Sequence, residues 1–200
     1  MLFSNFGKNI SSFTHNLLKK IFIPPWFQPA YKAGGPIQSV ANMVSAMGNM
    51  QLAKGQEAMG NSAMEFKIFC SNKDLDGSLL KGVAFDEWVQ YNKQTKVWYS
   101  SANNILPVLQ QEIKKEKPDH LFITGIYDWQ FNAKPLLFCR GVKKIISVRG
   151  MLHPGALSQK GFKKKIYLGL WKILGLQNQI VFHATDEAEK KYIQQVFGIR

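Results

Sequence analysis

The sequence predicts an α/β fold, a doubly wound parallel sheet in a single domain with helices on both faces. Short apolar runs alternate along the chain with longer segments of helical periodicity. Several of these runs are apolar on both faces, as in strands that helices cover from both sides. The 200 residues, 46% of them hydrophobic, suffice to bury the core of one medium-sized domain. The alternation of strands and helices therefore predicts a Rossmann-like sheet with right-handed crossovers.

The predicted strands are the apolar runs at 21–23, 66–70, 97–99, 120–126, 145–148 and 180–184. Apolar residues recur at helical spacing between them: Val40, Met43, Val44 and Met47 in one helix, Ile105, Leu109 and Ile113 in the next, and Phe162, Ile166, Leu170 and Leu174 in a third. Pro118 ends the second helix. The other face of the third helix carries Lys163, Lys164, Lys165 and Lys172. This lysine face could contact nucleic acid or anionic lipid, although it is more typical of a solvated helix surface.

The last helix begins at the sequence TDEAE. Thr185 or Asp186 can cap its start, and Glu187 and Glu189 suit the positive end of the helix dipole. Ligands of a doubly wound sheet bind beyond the carboxyl ends of the strands. The polar loops YKAGGP, SNKDLD, GIYDWQFN, RGMLHPGALSQK and HATDE are therefore expected along one rim.

Glycines begin the first helix in the segment YKAGGPIQS. Gly34 and Gly35 permit positive φ and a close approach to the backbone, and Pro36 suits the first helical position. Free N–H groups at such a helix start can bind an anion, although a tight turn that merely needs glycine explains an isolated pair better. The segment matches neither the dinucleotide fingerprint nor the phosphate loop of ATPases.

Two further loops carry residues suited to ligand binding. Arg149 directly follows a buried-looking strand, where it can grip a phosphate or carboxylate or pair with a neighbouring acid. His153, in the same loop, is a candidate proton or hydrogen-bond donor, although a histidine beside proline is more often structural. Tyr127 and Asp128 suit a carbohydrate, because aromatic rings stack on sugars and carboxylates accept from hydroxyls; the alternative for Asp128 is a helix cap.

Charge and motif content limit the classes of partner. The net charge of +13 favours an anionic partner, but no RNA-binding or helix-turn-helix signature is present, so nucleic acid is not expected. No histidine and cysteine cluster suggests zinc, and the sequence DLD at 74–76 indicates a solvated turn, so no metal is expected. Cys70 and Cys139 lie in apolar stretches, which is typical of reduced, packed thiols in a cytosolic protein.

Five segments in order resemble the N-terminal half of a bacterial family-four glycosyltransferase of the GT-B fold. They are IFIPPWFQPAYKAGGPIQSVANMV (21–44), KVWY (96–99), ITGIYDWQFN (123–132), ISVRGMLHPGALSQKGFKKKIY (146–167) and FHATDEAE (182–189). Residues 1–20 and 48–63 lie outside the pattern. Residues 1–20 are an N-terminal extension with helical spacing of apolar residues, and 48–63 are expected to form a helix end or a surface excursion.

The resemblance implies retaining sugar transfer from a nucleotide-sugar to a saccharide or lipid-linked acceptor, in cell-surface polysaccharide synthesis and without an obligatory metal or other cofactor. It implies that Gly34 and Gly35 face the donor diphosphate. Lys32, Tyr127, Asp128 and Arg149 are the implied acceptor- or sugar-binding residues, and His153 is the candidate catalytic residue.

Chains of that family run to about twice this length and add a donor-binding domain. Residues 21–200 therefore correspond to the N-terminal domain alone, with the C-terminal domain absent, and we expect weak donor binding and no activity from this chain. No apolar run reaches the length of a membrane span, and the expected location is cytoplasmic, with peripheral binding at the inner face of an anionic membrane. The alternative is a non-catalytic module that binds polysaccharide, membrane or a partner chain.

Overall fold

The computed structural model describes residues 2–3, 20–53, 66–159 and 161–199. The strands are β1 Leu2–Phe3, β2 Lys20–Ile23, β3 Phe66–Ser71, β4 Trp88–Asn92, β5 Thr95–Ser100, β6 His120–Thr124, β7 Lys143–Ser147 and β8 Val181–His183. The helices are α1 Gly35–Ala53, α2 Leu106–Glu116, α3 Lys134–Phe138, α4 Pro154–Ser158, α5 Gly161–Ile173 and α6 Glu187–Phe197. A π-helical turn, Trp129–Ala133, precedes α3, and a 3₁₀ turn, Leu176–Asn178, follows α5.

The strands form one sheet in the order β1-β8-β7-β6-β2-β3-β5-β4. The six inner strands are parallel, whereas β1 and β4 pair antiparallel at the two edges. Numbered along the chain, the parallel strands lie in the order 3-2-1-4-5-6, which is the order of the Rossmann fold. The predicted Rossmann-like α/β fold is therefore confirmed, and the strand order reverses between β2 and β6.

Apolar side chains of the sheet build one core on each face. Phe22, Ile68 and Phe122 pack with α1 on the side that we call the α1 face. Ile21 and Ile123 belong to the core on the opposite side, which also contains residues of α2, α3, α5 and α6 and which we call the α5 face. Alternate residues of a strand point to opposite faces, so β2 contributes to both cores.

The carboxyl end of strand β6 differs from the prediction. Strand β6 ends at Thr124 because Gly125, at φ +97°, turns the chain, and the Nδ2 of Asn132 donates to the carbonyl of Thr124 over 2.9 Å. A Cβ at Gly125 would lie 3.0 Å from Asn132 Oδ1, so a side chain there would be strained by the positive φ and would require Asn132 to shift. The edge strands β1 and β4 were not predicted, and β4 carries mostly exposed or half-buried residues that give no strong apolar pattern.

Helix α5 buries different residues from those that the apolar spacing predicted. Leu168 and Trp171 are its buried residues, whereas the predicted stripe that begins at Phe162 is exposed. The helix itself is confirmed, as are α1, α2 with its end before Pro118, and the cap of α6, which Asp186 provides.

Three further expectations concern the 48–63 segment, the N-terminal extension and the two cysteines. Helix α1 extends to Ala53, so the start of the 48–63 segment is a helix end, while 54–63 and the extension at 4–19 lie outside the described residues. Both cysteines are free and buried, and burial raises the pKa of the Cys139 thiol to about 11. This confirms that they are packed thiols. None of the described helices is long and apolar enough to cross a membrane.

Candidate functional site

The loops that follow β2, β3, β6, β7 and β8 lie along one rim, because these strands are parallel and their carboxyl ends meet at one edge of the sheet. The five polar loops predicted for this rim are therefore correctly placed. The switch point between β2 and β6 lies at the centre of the rim, where a sheet with this strand order forms its ligand crevice.

The loop after β2 delivers the glycine pair to the start of α1. Gly34 has φ +64°, a conformation that costs a side-chain-bearing residue energy. Its N–H donates to the carbonyl of Tyr31 over 2.9 Å, and the N–H of Ile37 donates to the carbonyl of Gly34 over 3.1 Å. Because Pro36 has no N–H, Gly35 is the main candidate donor at this helix start. A Cβ at Gly34 or Gly35 would meet no atom within 4 Å, so the approach is open.

Asp74, in the loop after β3, fixes this glycine loop. Its carboxylate accepts from the N–H groups of Tyr31 (3.0 Å), Lys32 (3.2 Å) and Leu75 (2.7 Å), and the residue is only 5% exposed. The predicted solvated turn is therefore wrong for Asp74, which is buried because it satisfies three backbone donors. In the described ranges no group of three or more acidic, histidine or cysteine side chains could hold a metal ion.

Lys32, expected among the sugar-binding residues, is held by the same loop. Its ammonium group pairs with Asp76, whose carboxylate also accepts from the hydroxyl of Ser78 over 2.6 Å. The ammonium of Lys32 lies 5.9 Å from the centre of the Tyr31 ring. A ligand that uses Lys32 must therefore compete with Asp76.

A cavity of about 720 Å³ lies beside the glycine loop, on the α1 face of the rim. Its lining includes the side chains of Gln28, Tyr31, Gln38, Lys81, Tyr91 and Tyr99 and the backbone at Gly34 and Gly82. The hydroxyl of Tyr99 donates to the carbonyl of Gln28 over 2.5 Å, and that of Tyr91 donates to the Gln28 side chain. Three aromatic rings, two amides and one ammonium group thus line the pocket, and none of its described lining residues is acidic.

Arg149 reaches across the switch point. The residue has φ +51°, and its guanidinium donates to the hydroxyl of Ser39 on α1. Burial lowers the pKa of Arg149, and the nearby Glu189 opposes this shift. Within the described ranges its Nε has no hydrogen-bond partner. The arginine therefore ties the loop after β7 to the helix that follows β2 and keeps one N–H unused.

Glu189 shapes the loop that presents Arg149. Its carboxylate accepts from the N–H of Gly150 (2.5 Å) and from the N–H (2.6 Å) and hydroxyl (2.9 Å) of Thr185. The residue is buried, and Asp186 caps α6 by accepting from its N–H over 2.8 Å. The loops after β7 and β8 are thus joined through one carboxylate.

His183 and Ser147 form a polar pair at the ends of β8 and β7. The Nδ1 of His183 lies 3.0 Å from the hydroxyl of Ser147. Burial, with the positive charge of Arg149 nearby, lowers the pKa of His183 to about 4, so the ring is neutral at physiological pH. Ser147 is fully buried, so this pair supports the rim and offers no accessible nucleophile.

His153, the candidate catalytic residue, caps the short helix α4. Its Nδ1 accepts from the N–H of Gly155 over 3.1 Å, and its ring lies edge-on to Tyr192 of α6 with centroids 5.3 Å apart. With Nδ1 accepting, a neutral ring carries its proton on Nε2. The exposed imidazole can donate to a ligand, but its visible contacts are those of a cap.

Tyr127 and Asp128 lie in the loop after β6. Asp128 caps the π-helical turn by accepting from the N–H of Phe131 over 2.6 Å, as its alternative interpretation predicted. Tyr127 packs towards the α5 face: its ring centroid is 5.6 Å from that of Tyr167 and 5.0 Å from the ammonium of Lys164. Burial raises the pKa of Tyr127 to about 12.

The predicted site residues therefore form two groups. Gly34, Gly35, Lys32 and Arg149 contact or belong to α1 and its loop, whereas Tyr127 and His153 contact α5 and α6. No family model, curated protein or solved structure matches this chain. Its functional interpretation therefore depends on the geometry of the rim and on the sequence pattern.

Acid should loosen the glycine loop. Burial alone would raise the pKa of Asp74, but hydrogen bonds from Tyr31, Leu75 and Lys32 outweigh it and hold that pKa below its usual value. The Lys32 ammonium likewise lowers the pKa of Asp76. The ionised carboxylates of Asp74 and Asp76 thus stabilise the folded loop above their unfolded-state pKa of about 4. This stabilisation is lost as the pH falls from there through their lower folded-state pKa values. NMR shifts of the Tyr31 and Lys32 amides should change only in this acidic window; a change centred near neutral pH would contradict this assignment.

Proposed function

We propose that the chain is the acceptor-binding half of a glycosyltransferase that transfers a sugar from a nucleotide-sugar to a saccharide or lipid-linked acceptor in cell-surface polysaccharide synthesis. The observation that carries the proposal is the tyrosine-lined cavity beside the glycine start of α1, at the rim of a Rossmann sheet. The resemblance of the rim loops to family-four glycosyltransferases supports the donor class.

The cavity has the chemistry of a saccharide site. The rings of Tyr31 and Tyr91 offer flat apolar surfaces to the C–H faces of a sugar, and the amides of Gln28 and Gln38 both donate to and accept from hydroxyls. Lys81 adds a positive charge, which favours a sugar with an acidic group. A cluster of few, convergent polar groups on an aromatic wall is typical of small-molecule sites.

The switch point beside the cavity suits the leaving diphosphate. Departure of a nucleoside diphosphate builds negative charge, which the N-terminus of α1 and the guanidinium of Arg149 would stabilise. Gly35 would let the phosphates approach the helix, because the space around its Cα is open. No step requires a metal ion.

A non-catalytic saccharide-binding module is the second candidate, because the cavity alone is sufficient for saccharide binding. The two functions differ in their need for a nucleotide. A glycosyltransferase half should bind a nucleoside diphosphate weakly at α1, whereas a module need not bind one at all.

Saccharide titrations followed by NMR test the proposal. A panel of neutral and uronic acid-containing oligosaccharides should shift the amide signals of Tyr31 and Tyr99, and Tyr91→Ala should abolish these shifts. Trp129→Ala, which removes an exposed ring from the β6 loop, is the matched control and should leave them unchanged. If only the Trp129 variant loses binding, the acceptor site lies at Tyr127 and Asp128 instead of the cavity. If no saccharide shifts the amide signals, the proposal is refuted.

Alanine variants of Gly34 and Gly35 should have separate effects, the first on stability and the second on ligand binding. Gly34→Ala forces a side chain into positive φ and should lower the free energy of unfolding by about 1 kcal/mol. Gly35→Ala should leave stability unchanged, since its Cβ meets open space, but should weaken the binding of uridine diphosphate by roughly threefold or more through the added methyl group. Calorimetry measures both effects, and an unchanged affinity in the Gly35 variant would show that the diphosphate does not approach this helix.

A further inference from the structure

Helix α5 exposes a continuous apolar surface to solvent. At 100° per residue, Leu168 and Trp171 point to the core, and the opposite side carries the exposed residues. These residues are Phe162 (79% exposed), Ile166 (51%), Leu170 (51%) and Ile173 (82%). We call this surface the α5 outer face. Contiguous exposed apolar patches are uncommon on soluble monomers and mark sites of association.

Lysines border the α5 outer face. Lys163, Lys165 and Lys172 are exposed on the same helix, and the helical sequence GFKKKIYLGLWKI contains no acidic residue. The lysines project beside the apolar stripe, Lys165 and Lys172 on one flank and Lys163 on the other. An apolar centre with cationic flanks complements a layer of anionic headgroups over an acyl interior.

We propose that the α5 outer face docks the chain on an anionic membrane surface. Phe162, Ile166, Leu170 and Ile173 enter the boundary between headgroups and acyl chains, and the flanking lysines contact lipid phosphates. The charge favours an anionic lipid surface over a second copy of this chain, because the whole chain carries a net charge of +13 and this helix presents positive charge only.

Docking leaves the saccharide cavity open. The cavity lies with α1, whereas α5 covers the opposite face of the sheet. The chain can therefore rest on a membrane by α5 and still admit a saccharide at the rim. Membrane binding does not depend on the proposed transferase function, and the two can fail separately.

Vesicle sedimentation of the full 200-residue chain tests the proposal. The probes are vesicles of phosphatidylcholine alone and of equal parts phosphatidylcholine and phosphatidylglycerol, at low and high salt. The chain should sediment with the phosphatidylglycerol vesicles, less at high salt. The double variant Phe162→Ser and Ile173→Ser changes two exposed side chains, so it should keep its circular dichroism and unfolding temperature but bind at least about tenfold more weakly.

A charge-matched pair of triple variants separates the surface from the overall field. Lys163→Gln, Lys165→Gln and Lys172→Gln should weaken sedimentation more than Lys93→Gln, Lys114→Gln and Lys115→Gln, which remove the same charge from exposed positions elsewhere. An equal loss of vesicle binding in the two triple variants would show that only the net charge matters, and it would overturn the proposal. Vesicle binding that is unaffected by the Phe162 and Ile173 changes would also overturn the proposal. Self-association seen in sedimentation velocity and abolished by those changes would do the same, since a second copy of the chain would then cover this face.

Discussion

Replacement of Glu189 by alanine should lower the free energy of unfolding by about 3 kcal/mol, because it leaves the N–H groups of Gly150 and Thr185 without their buried acceptor. The loop that holds Arg149 loses its attachment to α6 in the same step. Urea unfolding should show a midpoint lower by roughly 1.5 M with an unchanged slope, for a slope of about 2 kcal/mol/M.

Glu187→Ala is the matched control for this prediction. Glu187 lies in the same first turn of α6, but its side chain is 61% exposed and its pairing with Lys190 is a surface contact of 3.7 Å. Such pairs contribute little, so we expect a change of less than about 0.5 kcal/mol. Equal destabilisation by the two alanines would mean that the helix dipole, and not the buried bonds of Glu189, is responsible.

Asp74→Ala should weaken saccharide binding at the cavity by about tenfold or more, because a loop that is no longer held in place must be ordered on binding. The variant removes the acceptor of the Tyr31 and Lys32 N–H groups, so the wall of the cavity that contains Tyr31 loses its attachment to the loop after β3. NMR titration with the oligosaccharide that binds the unmodified chain measures the effect.

Asp76→Ala supplies the comparison within the same DLD sequence. Asp76 is exposed, and its bonds to described residues lie within its own turn and with the Lys32 ammonium. Its removal should therefore alter saccharide affinity by no more than about twofold. If Asp76→Ala weakens binding as much as Asp74→Ala does, then the Lys32 ion pair, and not the buried carboxylate, organises the loop.

The parallel core of the fold could be predicted because its strands are apolar on both faces. Strands β2, β3 and β6 are apolar over most of their length, and every prediction for them overlaps the observed strand. The edge strand β4 escaped because it is half exposed, so its side chains do not need to be apolar. Because β4 was not predicted, Tyr91 was not among the expected site residues.

The site was only partly predictable because its residues meet through tertiary contacts. Tyr31, Tyr91 and Tyr99 come from a loop and two strands, and no spacing in the sequence joins them. The buried role of Asp74 was equally hidden, since a DLD segment followed by glycine normally indicates a solvated turn. For Glu189 the signal was present, because an aspartate followed three residues later by glutamate matches the pattern of a helix cap. The carboxylate nevertheless bonds to Thr185 and Gly150.

The central strand β2 has a consequence for how the chain is made. Lys20 is in register with His120 of β6, a partner about 100 residues later in the sequence. At the usual rate of translation, the hydrogen-bonding edge of β2 that β6 will cover is complete about 5 to 20 seconds before β6 is synthesised. The edge of β2 that pairs with β6 therefore stays uncovered throughout that interval, whereas its other edge can pair with β3 once residues 66–71 are made. While residues 24–120 are being made, this open edge of β2 is a site at which the nascent chain can aggregate.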